Sequence, residues 1–156
     1  MIKDEKKALV EELGIHFENL HLLPPLAARI YAILLLEGME GLTFEDLLAQ
    51  TVSSKSSVST NLNLLMQAEM IEYTTLPGDR KRYFRKKANH FKSRLNKYLS
   101  LIEKEIEIYG KTRAYMEKQN PDHIKKYNNY LLIYKDYLEK TCLLMRESLE
   151  KLETIN

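Results

Sequence analysis

Residues 43–87 read TFEDLLAQTVSSKSSVSTNLNLLMQAEMIEYTTLPGDRKRYFRKK, and the succession of signals in this stretch decides the fold. Thr43-Phe44-Glu45-Asp46 has the form of a capping box: the threonine hydroxyl accepts from a backbone N–H one turn on, and the acid accepts from the threonine's own N–H. A short helix therefore starts here, with Leu47 and Leu48 turned inward, and ends around Gln50 or Thr51. Val52-Ser53 makes a tight connection, and Ser53 can cap a second helix that runs to about Glu69. In that helix Val58, Leu62 and Leu65 form a buried stripe. Ser56, Thr60, Asn63 and Gln67 lie opposite it, with Lys55 and Ser59 towards the edge. Ile71 to Leu76 is rich in β-branched and aromatic residues, Pro77-Gly78-Asp79 is a turn signal, and Arg80 to Arg85 resumes an extended pattern around Tyr83 and Phe84. The spacing predicts a two-stranded hairpin, and its returning stretch, Arg80 to Lys87, is cationic at six of eight positions.

Upstream, Leu9, Val10, Leu13, Phe17 and Leu20 recur at three- and four-residue spacings, which predicts an amphipathic helix from about Lys3 to Leu20. A second helix opens at Pro24-Pro25, where proline costs little in a first turn, and stops near Gly38 or Gly41. Its apolar residues lie nearly all round, as in a core helix. Downstream, the helical period returns from Ala88 through Leu95, Leu99, Ile102, Ile106, Tyr109 and Met116. Asn120-Pro121-Asp122 ends that helix and starts the next, since proline forbids continuation while Asn, Pro and Asp suit a cap and the two positions after it. The last helix places Ile124, Leu131, Leu138, Met145 and Leu152 seven residues apart, and such a seam needs a partner helix.

The expected fold is mostly α with a small β-hairpin wing: a winged helix-turn-helix over residues 23–87, flanked by long helices at 1–22 and 88–156 that form a dimerisation region. A chain of 156 residues buries about two thirds of its unfolded surface and needs no disulfide or metal. The single Cys142 falls in a helical apolar pattern and is read as a buried small hydrophobe in a reduced, cytoplasmic protein. Neither a signal segment nor a membrane span is expected, because a charged run follows Met1 and the longest apolar run, Ile30 to Leu36, is far too short. The net charge of +2 hides an asymmetry: residues 53–95 hold nine Lys or Arg against three acids, while the remainder is net acidic. Such concentrated positive charge is the footprint of a phosphate-binding surface.

Short helix, tight turn, polar-faced helix and cationic hairpin, in that order, point to double-stranded DNA as a partner. The polar helix fits a major groove, where Ser56, Ser59, Thr60 and Asn63 can approach base edges. Ser54, Lys55 and the backbone N–H groups beside them sit where a helix N-terminus meets a phosphate. Arg80, Lys81, Arg82 and Arg85 can reach backbone phosphates or a neighbouring minor groove.

Leu23-Pro24-Pro25-Leu26-Ala27-Ala28-Arg29-Ile30-Tyr31, Gly41 to Leu47, Ser54 to Thr60 and Pro77 to Arg85 resemble the GbsR-like branch of the MarR superfamily of bacterial transcription regulators. The resemblance implies a homodimeric repressor or activator of a nearby operon, with a small-molecule effector bound between its dimerisation and DNA-binding lobes. It also implies that Asp79 orients a wing cation. Lys81 stands where the family's wing carries arginine, and Arg80 or Arg82 suits a planar, weakly hydrated contact better.

Catalysis is not expected, and no cofactor is implied. His16, His21, His90 and His123 lack ligand spacing, and no Gly-rich phosphate loop, activated Ser or Cys elbow, or spaced carboxylate motif occurs. A winged module that binds protein instead of DNA is the rival reading, and an acidic or apolar wing would favour it. Tyr109 and Tyr115 on one helix, with Tyr127, Tyr130, Tyr134 and Tyr137 on the next, present a choice. They either form a cage for a cationic or aromatic effector around Tyr109, Tyr127 and Tyr134, or pack as an aromatic stripe.

Overall fold

A computed structural model describes the backbone of residues 2–155 and the side chains of residues 4–155. Met1, Asn156 and the side chains of Ile2 and Lys3 lie outside the described residues. Helix α1 spans Ile2–His21 and turns Val10 and Phe17 inward, leaving Leu9, Ile15 and Leu20 exposed. Helix α2, Pro25–Glu37, opens on Pro24 and Pro25 and ends at Gly38. It is buried nearly all round through Ala27, Ala28, Ile30, Tyr31, Ile33 and Leu34, as its pattern predicts. Strand β1 (Leu42–Thr43) leads into α3 (Phe44–Thr51), α4 (Lys55–Gln67), β2 (Ile71–Thr75), β3 (Arg82–Lys86), α5 (His90–Gln119) and α6 (Pro121–Glu153).

The capping box forms as expected: the Thr43 hydroxyl accepts from the Asp46 N–H, and Asp46 accepts from the Thr43 N–H. The Thr43 hydroxyl also donates to the Asp46 carboxylate, and that bond, ahead of the one from the Thr43 N–H, holds the carboxyl below its ordinary range. The cap of α4 differs from expectation by one residue. Val52 takes a left-handed conformation (φ 50°, ψ 41°), which lengthens the turn, so Ser54 and not Ser53 accepts from the Ser57 N–H. Ser53 donates to the Thr51 carbonyl instead.

The hairpin is part of a three-stranded antiparallel sheet in the order β1-β3-β2. A two-residue strand has no alternation to detect, and β1 joins only because Gly41, at φ +82°, brings it against β3. A Cβ at Gly41 would stand 2.6 Å from the Phe84 carbonyl oxygen. The returning strand starts at Arg82, two residues later than expected, because the Asp79 carboxylate takes the Lys81 N–H and keeps Arg80 and Lys81 in the turn. Ile30, Leu34, Leu47, Val58 and Leu65 are fully buried and centre the core beneath α3, α4 and the sheet.

The chain divides into two compact units, residues 1–90 and 91–156. Helix α1, grouped by sequence with the C-terminal helices, packs on α2 within the first unit. In the second unit α5 and α6 run antiparallel: the Tyr109 hydroxyl donates to the Leu131 carbonyl at 2.7 Å, Arg113 to Asn128 at 3.0 Å and Arg146 to Glu103 at 2.6 Å. The break at Asn120-Pro121 is as read, Asn120 accepting from the His123 N–H. The seven-residue seam of α6 is already covered in the single chain, Ile124 and Leu138 being buried and Leu131 and Met145 half-buried. Within the chain, the helix that runs along it is α5.

Candidate nucleic-acid interface

Burial of Val58, Leu62 and Leu65 fixes the rotation of α4 and turns Lys55, Ser56, Ser59, Thr60 and Asn63 to solvent. The Ser54 hydroxyl is committed to its cap and lies 2.8 Å from the Ser57 hydroxyl and 3.1 Å from that of Ser56. No acid stands in the first turn of α4, and Lys55 is its first residue. That end of the helix, with unpaired N–H groups and a cation beside them, is built to face an anion.

The wing sorts its cations. Glu72 lies directly opposite Arg85 in the β2–β3 register and accepts from its guanidinium at 2.9 Å. Lys87 is paired with Glu69 at 3.5 Å. Arg85, expected to contact DNA, therefore spends its charge on the neighbouring strand. Arg80, Lys81 and Arg82 are exposed. Asp79 accepts from the Lys81 N–H at 2.9 Å and from the Tyr83 hydroxyl at 2.8 Å. These bonds hold its carboxyl below the ordinary range, the Lys81 amide contributing most, so Asp79 fixes the turn as an anion. Between α4 and the wing lies an open cleft of about 440 Å³, with Ser59 and Asn63 on the helix side and Arg80, Lys81 and Arg82 on the wing side.

Of the tyrosines, Tyr109 and Tyr134 meet, their ring centroids 5.7 Å apart and nearly edge to face, while the Tyr134 hydroxyl donates to Glu105. Tyr127 lies elsewhere, exposed, its ring against His123 at 4.7 Å. Sequence reasoning did not single out Tyr73, Tyr83 or Glu72. Their roles follow from the strand register, which alternation alone does not supply.

Residues 23–82 match the model of a family described as the MarR family. The matched segment runs from Leu23, just before α2, to Arg82 at the start of β3, so α1, α5 and α6 lie outside it. The chain is also 37% identical over 82 residues to the HTH-type transcriptional regulator MmpR5 of Mycobacterium tuberculosis (strain ATCC 25618 / H37Rv), a match covering 53% of this chain and 49% of that protein. It thus spans about half the length of the curated relative it matches. A crystal structure of a transcriptional regulator superposes with a TM-score of 0.60 and 23% identity, over 96% of this chain and 99% of the other. That likeness is one of fold, and it covers the flanking helices as well as the matched segment.

Proposed function

We propose that this chain is a sequence-specific DNA-binding transcription regulator of the GbsR-like branch, a cytoplasmic homodimeric repressor on a near-palindromic operator. The observation that carries the reading is the cleft in which the base-sized polar side chains Ser59 and Asn63 face the exposed wing cations Arg80, Lys81 and Arg82. Helix α4 enters the major groove, Ser56, Thr60 and Asn63 read base edges, and the wing lies on the sugar-phosphate backbone. Two-fold symmetry sets half-sites about 10 base pairs apart.

The dimer surface is assigned to the exposed apolar faces of the flanking helices. On α6, Tyr130, Ile133, Tyr137 and Leu144 recur at three, four and seven residues and stand in solvent; on α1, Leu9, Ile15 and Leu20 are exposed as well. A small-molecule effector releases the DNA, and its proposed seat is the pair Tyr109 and Tyr134 between α5 and α6, without the outlying Tyr127. There the Glu105 carboxylate beside Tyr134 favours a cationic ligand.

Titration of the full chain on duplexes selected from a random pool, at several salt concentrations, tests the reading. A log–log slope of roughly −6 is expected if about seven phosphates are neutralised. Asn63→Ala should relax preference at one base pair by about 1–3 kcal/mol and leave the slope unchanged. Affinity independent of salt would move the protein-binding module to first place.

A further inference from the structure

On one face of the hairpin, three side chains form a relay from the core to the wing. Phe84 is buried, only 6% exposed, and lies opposite Tyr73 in the β2–β3 register. Their ring centroids are 6.1 Å apart, inclined at 60°. Tyr73 is 46% exposed, and the Arg82 guanidinium stands over its ring, 4.7 Å from the centroid. Arg82 and Phe84 are alternate residues of β3 and so share this face. Arg85 and Lys87 are neutralised by Glu72 and Glu69, and Asp79 spends its carboxylate on Lys81 and Tyr83. The Tyr73 ring thus singles out Arg82 among the exposed wing cations.

We propose that Tyr73 is a positioning residue, which presents the Arg82 guanidinium to a DNA phosphate at the edge of the groove entered by α4. The inference rests on the DNA-binding reading above. An arginine free in solvent samples many rotamers and loses that freedom on binding; one already laid on a ring has lost part of it in advance. A guanidinium that lies over a ring by its face keeps its N–H edge for phosphate oxygens, onto which it forks. Arg82 lines the same cleft as Ser59 and Asn63, so its target is the backbone bordering the bases those residues face.

The test compares wild type, Tyr73→Phe, Tyr73→Leu, Arg82→Ala and the double variant Tyr73→Leu/Arg82→Ala on one selected duplex across sodium chloride concentrations. Tyr73→Phe keeps the ring face and should bind within about twofold of wild type, whereas Tyr73→Leu should lose about fivefold per protomer. Arg82→Ala should lower the magnitude of the salt slope by about one per bound site. The double variant should bind no worse than Arg82→Ala alone, because Tyr73 acts only through the guanidinium. Should Tyr73→Leu fail to fold, Arg82→Lys replaces it: the charge stays, the stacked plane goes, and affinity should fall without a change of slope. Wild-type affinity in Tyr73→Leu, losses that add in the double variant, or Tyr73→Phe failing as badly as Tyr73→Leu would each overturn the inference while leaving DNA binding intact. A wild type with no salt-dependent binding to any duplex would overturn the reading beneath it.

Discussion

The Tyr83 hydroxyl donates a 2.8 Å hydrogen bond to the carboxylate of Asp79, four residues earlier at the turn of the hairpin. With the Lys81 N–H on the other carboxylate oxygen, the turn is closed by an anion and two donors. Asp79 is held below its ordinary value, first by the Lys81 amide and then by Tyr83. A depressed carboxyl stabilises the folded wing fully above its unfolded pKa, and that contribution is lost as pH falls through the folded value. The partner obeys the opposite sign: the bond to Asp79 raises the Tyr83 phenol above 10.0, so its contribution is lost as pH rises through the raised value. Tyr83→Phe should move the Asp79 titration part of the way back up, since the Lys81 amide remains. Carbon-detected NMR of the Asp79 carboxyl checks this, and an unmoved midpoint would refute it.

Exposure separates two faces of α6. Leu138 is 2% exposed, while Ile133 is 70% and Tyr137 59% exposed. Leu138→Ala should therefore lower the stability of the folded chain by about 2–5 kcal/mol through a cavity. Ile133→Glu with Tyr137→Glu changes two mostly exposed side chains and should instead shift the sedimentation coefficient from dimer to monomer at micromolar concentration. Retention of a wild-type dimer would show that this face is not the interface.

Two glycines have nearly equal φ and unequal surroundings. Gly41 (φ +82°) has the Phe84 carbonyl oxygen 2.6 Å from the position of an added Cβ, while Gly78 (φ +81°) has nothing within 4 Å. Gly78→Ala should cost about 1–2 kcal/mol, the ordinary strain of a left-handed alanine. Gly41→Ala should cost at least about 2 kcal/mol more, because β1 must also move away from β3. Urea unfolding of the two variants gives the difference, and equal costs would remove the close approach as the reason for glycine at position 41.

Val52 carries backbone strain in an exposed turn. It is a β-branched residue at φ 50°, in the turn between α3 and α4, and its side chain is 91% exposed. Val52→Asn keeps the turn and suits the left-handed region, so it should raise stability by about 1 kcal/mol. Thermal unfolding measures it, and a destabilised variant would mean that Val52 makes a contact the free chain does not reveal.

Elements set by contacts within a turn or two were legible from the chain itself. The Thr43–Asp46 capping box, the Val58, Leu62 and Leu65 stripe, the all-round burial of α2 and the Asn120-Pro121 break depend on residues a few positions apart, and each formed as its local chemistry requires. The Ser53-to-Ser54 shift of the α4 cap marks the edge of that legibility, since both serines satisfy the local rule and only the Val52 conformation chooses between them.

The amino-acid sequence determined that α6 must hide a seven-residue seam and that one segment must carry the positive charge. Tertiary structure decided what meets them. A heptad specifies the need for a partner helix but not its owner, and the antiparallel return of α5 supplies it within the same chain. A run of cations specifies charge but not which charges stay available. That depends on the register that sets Glu72 against Arg85, thirteen residues apart, and Tyr73 beneath Arg82. Register and helix docking are fixed by many weak, long-range contacts acting together, so no single stretch of sequence contains them.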